Sequence, residues 1–506
     1  MDKENHFDLE APGGGPLWTN NRPRAVSWIR SRPRAVRRLL RRPPVLLLRV
    51  TRNIVISLLA IIVLVPFLRP SYTKPPPHYH GMEVLCKDLA PGCANVRKEK
   101  VFISVSLDGR GEDLAKGPWG RRVEQLIHIL GPNNVYLNVY ETGGGEPRTA
   151  KLEYLGWRVE CGHSIVSDGR ISLSTLPNVT LPDGSQLVKR AAYVAEIRNR
   201  ALRRLDLLKD GDDALVKFDK VLFLDDIAFR PLDAAQLLFS TNMKHDGRAD
   251  YLAACGLDYH SAFRFHDVHA LRDMDGYANT QAVFPIFGDL GGGLSRADML
   301  AGKDAVRVKS CWSGITAVQA KYVQNLNQSL PDPGFRDVGR HVVDPAHPTN
   351  ATTPVRFRHE PEVFFDASES CLFMADLAQA AGGADANEAG IYVNPYVRVS
   401  HSERTLRWVR IMRYWERLFV FAHDLRALFS RPGDGNPYRD VVEGQKFAEE
   451  VWDHVEHEWK VVERVGRAGL FCGMREARLG RPGERAGETN RANMRIPPVQ
   501  TPGPAA

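Results

Sequence analysis

The chain has 506 residues, 43% hydrophobic and 25% charged, enough to bury a sizeable core in one large domain or two smaller ones. Its formal charge of +8 belongs to residues 1–52, where Lys3 and eleven arginines face four acidic residues; the other 56 basic and 56 acidic residues cancel. The body is neutral, so its charge gives no support to nucleic-acid binding.

Residues 1–52 read as a basic cytosolic tail. Residues 53–69 follow as a single transmembrane anchor, with no formal charge from Asn53 to Leu68 and Arg49, Arg52 and Arg69 at its two ends. The arginine excess before the anchor orients the chain as a single-pass type II protein with a luminal body. A cleaved signal peptide and a buried helix are the competing readings. Acceptor sequons for N-glycosylation at Asn178, Asn327 and Asn350 agree with a luminal body, as does the placement of all seven cysteines beyond the anchor. An odd count leaves at least one thiol free or intermolecular, and Cys86 and Cys93, flanking a Pro-Gly turn, suggest a local disulfide. Pro75, Pro76 and Pro77 mark residues 70–97 as a stiff stem.

Beyond residue 98 the pattern alternates. A strand over 100–107 stops at Asp108, a helix follows over 119–130, a strand over 135–140, a helix near 149–155 and a short strand over 158–161. That order predicts a mostly parallel sheet flanked by helices, an α/β fold. An amphipathic helix over 188–208 carries Arg198 and Asn199. It leads to Lys217–Arg230, where the apolar run Val221–Leu224 ends in Asp225 and Asp226. Ligands of open α/β sheets collect beyond the carboxyl ends of strands, so Asp108, Arg198, Asn199 and Asp225 are expected to bind a donor, and Asp225 and Asp226 a metal. The bland alternative is a strand end with a capped helix.

Residues 263–276 hold His266, Asp267, His269, Asp273 and Asp275. No helix or strand period aligns them, so a sugar-binding loop is expected ahead of a metal site built from this run alone. Cys311 to Gly314 reads as a tight turn before a helix, with Trp312 as an acceptor contact beside His266 and Asp267. Asp366 and Glu369 are the catalytic carboxylate candidates, for proton removal or for stabilising charge on the sugar; the alternative is that they are helix-start acids. A strand over 391–401 ends in His401, which is expected to complete the metal shell. Residues 403–470 read as a helical extension, with helices over 403–429 and 443–465, and residues 471–506 as an unstructured tail.

The ordered segments VFISVSL (101–107), AEIRNRAL (195–202), VLFLDDIAFRP (221–231), FHDVHALRDMDG (265–276), VKSCWSGI (308–315), SESCLFMADL (368–377) and VNPYVRVSH (393–401) resemble the fungal CAP59-like mannosyltransferases. That group contains the capsule-associated proteins and the cryptococcal alpha-1,3-mannosyltransferase. The resemblance covers about residues 98–401 and implies a GT-A-like domain over 98–402 and a Golgi location. It also implies metal-dependent, retaining transfer of mannose from GDP-mannose with Mn²⁺ to a glycan or glycolipid hydroxyl, in polysaccharide biosynthesis. The family wording is closer to Asn-Asp-Val at 225–227, which makes Asp226 the stronger metal candidate. His266-Asp267 and His269 stand where relatives show Tyr-Asp and Trp, beside the expected acceptor region. Alternatives are a transferase using UDP-xylose, UDP-glucose or GDP-fucose, and a catalytically silent Golgi scaffold or lectin. The C-terminal helices are expected to serve packing or homo- or hetero-oligomerisation.

Overall fold

The computed structural model describes residues 45–109, 111–143, 146–209, 215–267, 269–278, 282–326, 354–382, 390–429, 436–475 and 479–480. The expectations for the basic tail up to residue 44, for the sequons at Asn327 and Asn350 and for residues 481–506 lie outside them. The chain divides into two units, Met1–Val63 and Leu64–Ala506.

The described part of the first unit is helical. Helix α1 (Val45–Leu68) begins ahead of the expected residue 53, and its Leu48–Leu68 stretch is long and apolar enough to cross a membrane, with none of it buried in protein. A helix apolar on every side is stable only in an apolar surrounding, which supports membrane anchoring.

In the second unit the expected stem is folded instead. Tyr72 and Tyr79 are buried, and the Tyr72 hydroxyl donates to the Met299 carbonyl at 2.9 Å. Helix α2 (Pro77–Leu85) follows, and the Cys86–Cys93 disulfide closes the next turn. The prolines shape the entry, but two large aromatic rings have more to gain from the core than from water.

The rest of the body is built on β1 (Val101–Asp108), α3 (Gly111–Lys116), α4 (Pro118–Leu130), β2 (Val135–Thr142), α5 (Glu146–Arg158), β3 (Gly162–Asp168), β4 (Asn178–Thr180), β5 (Gln186–Lys189), α6 (Arg190–Leu207), β6 (Lys220–Leu224), α7 (Pro231–Phe239) and β7 (Ala253–Tyr259). It continues through α8 (Leu294–Leu300), β8 (Val306–Arg307), β9 (Ile315–Gln319), β10 (Asp366–Ala367), α9 (Glu369–Ala380), β11 (Ile391–Ser400), α10 (Glu403–Met412), α11 (Phe419–Phe429), β12 (Lys446–Asp453), β13 (Glu458–Val465), β14 (Gly473–Met474) and β15 (Leu479–Gly480).

Eight strands form one sheet in the order β3-β2-β1-β6-β9-β7-β11-β8. β3, β2, β1 and β6 run parallel, as do β7 and β11; β9 is antiparallel to both its neighbours, so the sheet is mixed but mostly parallel. Alternate residues of β6 explain its unbroken apolar run. Val221 and Phe223 pack with Ala195, Leu202 and Leu205 of α6, while Leu222 and Leu224 pack with Val123 and Leu126 of α4 and Leu237 of α7. Helices therefore cover both faces, and the carboxyl edge of the sheet is left to carry polar groups.

Three local expectations change. Helix α5 runs to Arg158, and the next strand starts at Gly162 rather than occupying 158–161. The run after Gly314 is strand β9, with only a 3-10 turn at Ala320–Tyr322, because β-branched Ile315, Thr316 and Val318 fill the slot between β6 and β7. Residues 446–465 form the hairpin β12–β13 and not a helix. Trp452 pairs with Trp459 across the ladder, ring centroids 5.6 Å apart, and aromatic cross-strand pairing outweighs the helix-favouring Glu and Lys content.

Part of the expected tail is also ordered. β14 pairs with β10, β15 pairs with β5, and Cys472 is bonded to Cys371 on α9. The Arg272 guanidinium donates to the carbonyls of Phe471 (3.1 Å) and Cys472 (2.6 Å). A third disulfide joins Cys255 to Cys311, and Cys161 is free and buried. The Cys371–Cys472 bond spans a separation of 101 residues. Closing a loop of that size restricts the unfolded chain by about 4–5 kcal/mol, so Cys371→Ser is expected to lower unfolding stability by several kcal/mol in chaotrope titration.

Candidate active site

Asp225 leaves β6 on the side of Val221 and Phe223, where α6 packs, and meets Arg198 from that helix. An Arg198 Nη2 lies 3.5 Å from Asp225 Oδ2, and Nη1 donates to Glu369 Oε1 at 2.9 Å and to Ser370 Oγ at 2.5 Å. One guanidinium thus joins the strand-end carboxylate to the first residue of α9. Trp312 Nε1 donates to Asp225 Oδ2 at 3.0 Å, and the Arg198 guanidinium carbon sits 4.2 Å from the Trp312 ring centroid. Stacking on a ring suits a planar delocalised cation. Burial raises the Asp225 carboxyl above its ordinary range, although a quarter of its side chain meets solvent. Arg198 and Trp312 oppose that shift, while Asp226 and Glu369 add to it.

A second cluster forms at the ends of β7 and β11. One ligand atom from each of Asp258, His266 and His401 lies within 4.8 Å of the others. His401 Nε2 is 3.3 Å from Asp258 Oδ2, and the His266 and His401 rings meet edge-on at 4.8 Å. Asp258 sits two residues beyond Gly256 on β7; its register partner is Val399 on β11, which places His401 just past the same edge. Asp258 Oδ1 is buried with no hydrogen-bond partner. An unbalanced carboxylate oxygen beside two imidazoles is a donor set suited to a divalent transition cation.

The two clusters share a loop. Asp267 Oδ2 accepts from the backbone N–H of Trp312 (3.1 Å) and Ser313 (2.9 Å), and Oδ1 accepts from Ala270 (3.0 Å). Ser313 and Gly314 turn with φ of +56° and +68°, and the Gly314 carbonyl accepts from the Asp225 N–H at 2.9 Å. The Cys255–Cys311 bond ties that turn to β7. Ala228 bridges Ser400, so the chain after Asp226 also runs beside the approach to His401.

The remaining expected residues fall as follows. Asp108 ends β1, exposed, with the Tyr193 hydroxyl 3.5 Å from Oδ1. Both ends of the Asn199 amide are used by Phe357, Nδ2 donating to its carbonyl at 2.8 Å and Oδ1 accepting from its N–H at 2.9 Å. Asp366 is buried with Oδ1 3.8 Å from Lys189 Nζ, away from the Arg198 pairings. Asp273 and Asp275 serve turns: Asp273 Oδ1 accepts from Asp275 and Tyr277 N–H, and Asp275 Oδ2 from Gly292 N–H. Asn178 is exposed on β4. Asp258 was not visible as a site residue in the sequence, because a lone Asp inside LAACGLDY reads as strand; its place opposite the His401 strand was the missing signal.

The segment pinned by Asn199 also holds buried His359, whose imidazole is pushed down to about 4 by burial and by Lys189. Its folded-state value lies below the unfolded one of 6.5, so its neutral form contributes stability above pH 6.5, and that contribution is lost as pH falls toward 4. His359→Gln is expected to remove about 3 kcal/mol from the acid-side slope of stability between those limits, measured by chaotrope unfolding at stepped pH.

The family model described as Cryptococcal mannosyltransferase 1 matches residues 100–376, more than half of the chain. The chain belongs to this family. The match runs from β1 into α9 and so spans Arg198, Asp225, Asp258, His266, Trp312 and Glu369. Membership together with this edge cluster makes the protein a glycosyltransferase-type enzyme. No curated protein matches the chain. Solved structures similar to it include the mannosyltransferase PcManGT from Pyrobaculum calidifontis in complex with GDP-Man and Mn²⁺, at 11% identity and a TM-score of 0.29, covering 74% of this chain and 75% of that one. Another is mannosyl-3-phosphoglycerate synthase from Rubrobacter xylanophilus, at 12% identity and a TM-score of 0.29, covering 79% and 93%.

Proposed function

We propose that this member of the Cryptococcal mannosyltransferase 1 family transfers mannose from GDP-mannose to a hydroxyl of a glycan or glycolipid, forming an alpha-1,3 linkage with retention. The carrying observation is the family match across Arg198, Asp225, Asp258, His266, Trp312 and Glu369, with His401 just beyond it. Three disulfides suit an oxidising compartment and favour a body in the Golgi lumen, tethered by α1 as a type II protein.

Asp258, His266 and His401 are the proposed cation ligands, with Mn²⁺ the favoured ion. Asp226 is the proposed fourth, as the acidic neighbour of Asp225 just past the carboxyl end of β6, although its carboxylate is not among the three gathered within 4.8 Å. A divalent cation there would neutralise the charge of a diphosphate leaving group. On this reading His266 moves from acceptor contact to ligand. Asp108 and Asp225 line the donor side, and Arg198 meets developing negative charge while bridging Asp225 and Glu369. Trp312 offers a flat wall to a sugar face, Asp267 holds the Trp312 turn, and Asn199 holds Phe357. Of the two catalytic carboxylate candidates Glu369 is favoured, because it shares Arg198 with Asp225 whereas Asp366 faces Lys189. The acceptor oxygen bonds to the anomeric carbon as the bond to the diphosphate oxygen breaks, and a carboxylate at Glu369 can take the acceptor proton or stabilise the positive sugar.

The test is a donor screen on the full chain in detergent, reading nucleotide release with GDP-mannose, GDP-fucose, UDP-glucose and UDP-xylose, with and without Mn²⁺. Mn²⁺-dependent release specific to GDP-mannose is expected; preference for another donor would overturn the sugar assignment.

A further inference from the structure

On the α4 and α7 side of the sheet lies a cavity of about 530 Å³ whose charged lining is Arg121 and Arg122 of α4, Arg230 before α7, and Glu403, Arg407 and Arg410 of α10. Glu403 is taken by Arg122, and Arg230 reaches Asp233 at 3.1 Å. Among the described residues the side chains of Arg121, Arg407 and Arg410 make no ion pair or hydrogen bond, and all three are exposed. Guanidinium groups do not shed their protons, so the three that make no ion pair stay charged and open to an anion, and their forked donors match phosphate oxygens.

Two further features say where that anion comes from. The apolar run of α1 ends at Leu68, and three positions on, the Ser71 hydroxyl donates to Glu416, in the turn between α10 and α11. Three residues of extended chain reach about 10 Å at most, so covalent connection keeps this turn close to the end of the apolar run. The same stretch exposes Trp408, Ile411, Tyr414 and Phe421, the last 76% accessible. Aromatic and aliphatic side chains next to arginines are the composition of a helix that lies in a lipid-water interface.

We propose that the arginine-lined cavity binds the phosphate of a membrane lipid headgroup, with the exposed apolar side chains of α10 and the following turn resting in the interface of the same bilayer. The proposal is separate from the choice of sugar donor and is read by binding alone.

The full chain, in non-ionic detergent, is titrated with a short-chain phosphatidic acid, with the diacylglycerol carrying the same chains, and with inorganic phosphate, following thermal-melting shifts and tryptophan fluorescence. Saturable stabilisation by phosphatidic acid is expected, with little from the other two. Arg407→Gln with Arg410→Gln, and separately Arg121→Gln from α4, should each weaken phosphatidic acid binding about tenfold or more while leaving the ligand-free melting temperature unchanged. Equal affinity for inorganic phosphate would overturn the lipid assignment. Equal binding of the diacylglycerol, or unchanged phosphatidic acid binding by both well-folded variants, would overturn the phosphate site.

Discussion

Arg198→Ala is expected to abolish most turnover and to weaken the fold in the same stroke. The guanidinium holds Asp225 Oδ2 at 3.5 Å and Glu369 Oε1 at 2.9 Å, and its own side chain is only 11% exposed. Removing it leaves two largely enclosed carboxylates without their common cation, and breaking such a pairing typically costs about 3–5 kcal/mol. Asp225, already raised by burial and no longer opposed by Arg198, would then take up a proton more readily, which removes the charge pattern a donor meets. Loss of one preorganised donor of this kind lowers turnover about 10²- to 10³-fold. Arg198→Lys keeps the charge but cannot span two carboxylates and stack on Trp312 together, so it should recover stability more than rate. Single-turnover rates and chaotrope midpoints on both variants separate the effects. A rate in Arg198→Ala within threefold of the parent, roughly 0.7 kcal/mol in barrier, would contradict this role.

Asp258→Asn should strip the cation from the site while sparing the fold. The substitution retains the shape of the side chain but replaces one carboxylate oxygen by a donor facing His401, which lies 3.3 Å away. Losing even an outer partner of a metal site weakens affinity about 10- to 100-fold, and losing a ligand charge should exceed that range. The direct measurement is Mn²⁺ binding by titration calorimetry on the full chain, with no reliance on turnover. Unchanged affinity in Asp258→Asn would remove the Asp258, His266, His401 cluster from consideration as a metal site. His401→Gln offers the complementary check from the neighbouring strand.

Much of the fold was legible because burial on both faces leaves an unmistakable signature. Val221 to Leu224 are all apolar because two helical layers claim alternate side chains, and the amphipathic period of 190–207 reports the layer that claims Val221 and Phe223. Arg198, Asp225, Trp312 and Glu369 were each named from local pattern, and the structure brings these four to one point. What the local pattern did not carry was pairing between distant strands. Asp258 gains its meaning from standing beside the strand that ends in His401, and no neighbour in sequence announces that. The hairpin at 446–465 was hidden for a related reason: charged and apolar residues alternate at a period of two only over Glu458 to Val461, while Ala448 to Trp452 breaks the pattern, so a reading weighted toward Glu and Lys content mistakes the segment for a helix. Asn199 and Asp267 show the converse, since polar side chains that look ligand-ready from sequence are occupied by backbone groups here.

The tie between Cys371 and Cys472 sets a condition on how this protein can be cut and expressed. Helix α9, which presents Glu369 to Arg198, is fastened by a residue far downstream, and the same downstream segment lends its carbonyls to Arg272. A shortened chain that stops with the family-matched region at 376 would contain every proposed site residue except His401, yet α9 would lack the clasp that fixes it. Proteolysis between 429 and 446, by contrast, would leave the clasp covalently intact, so a nicked molecule should stay assembled until a reductant opens the bond.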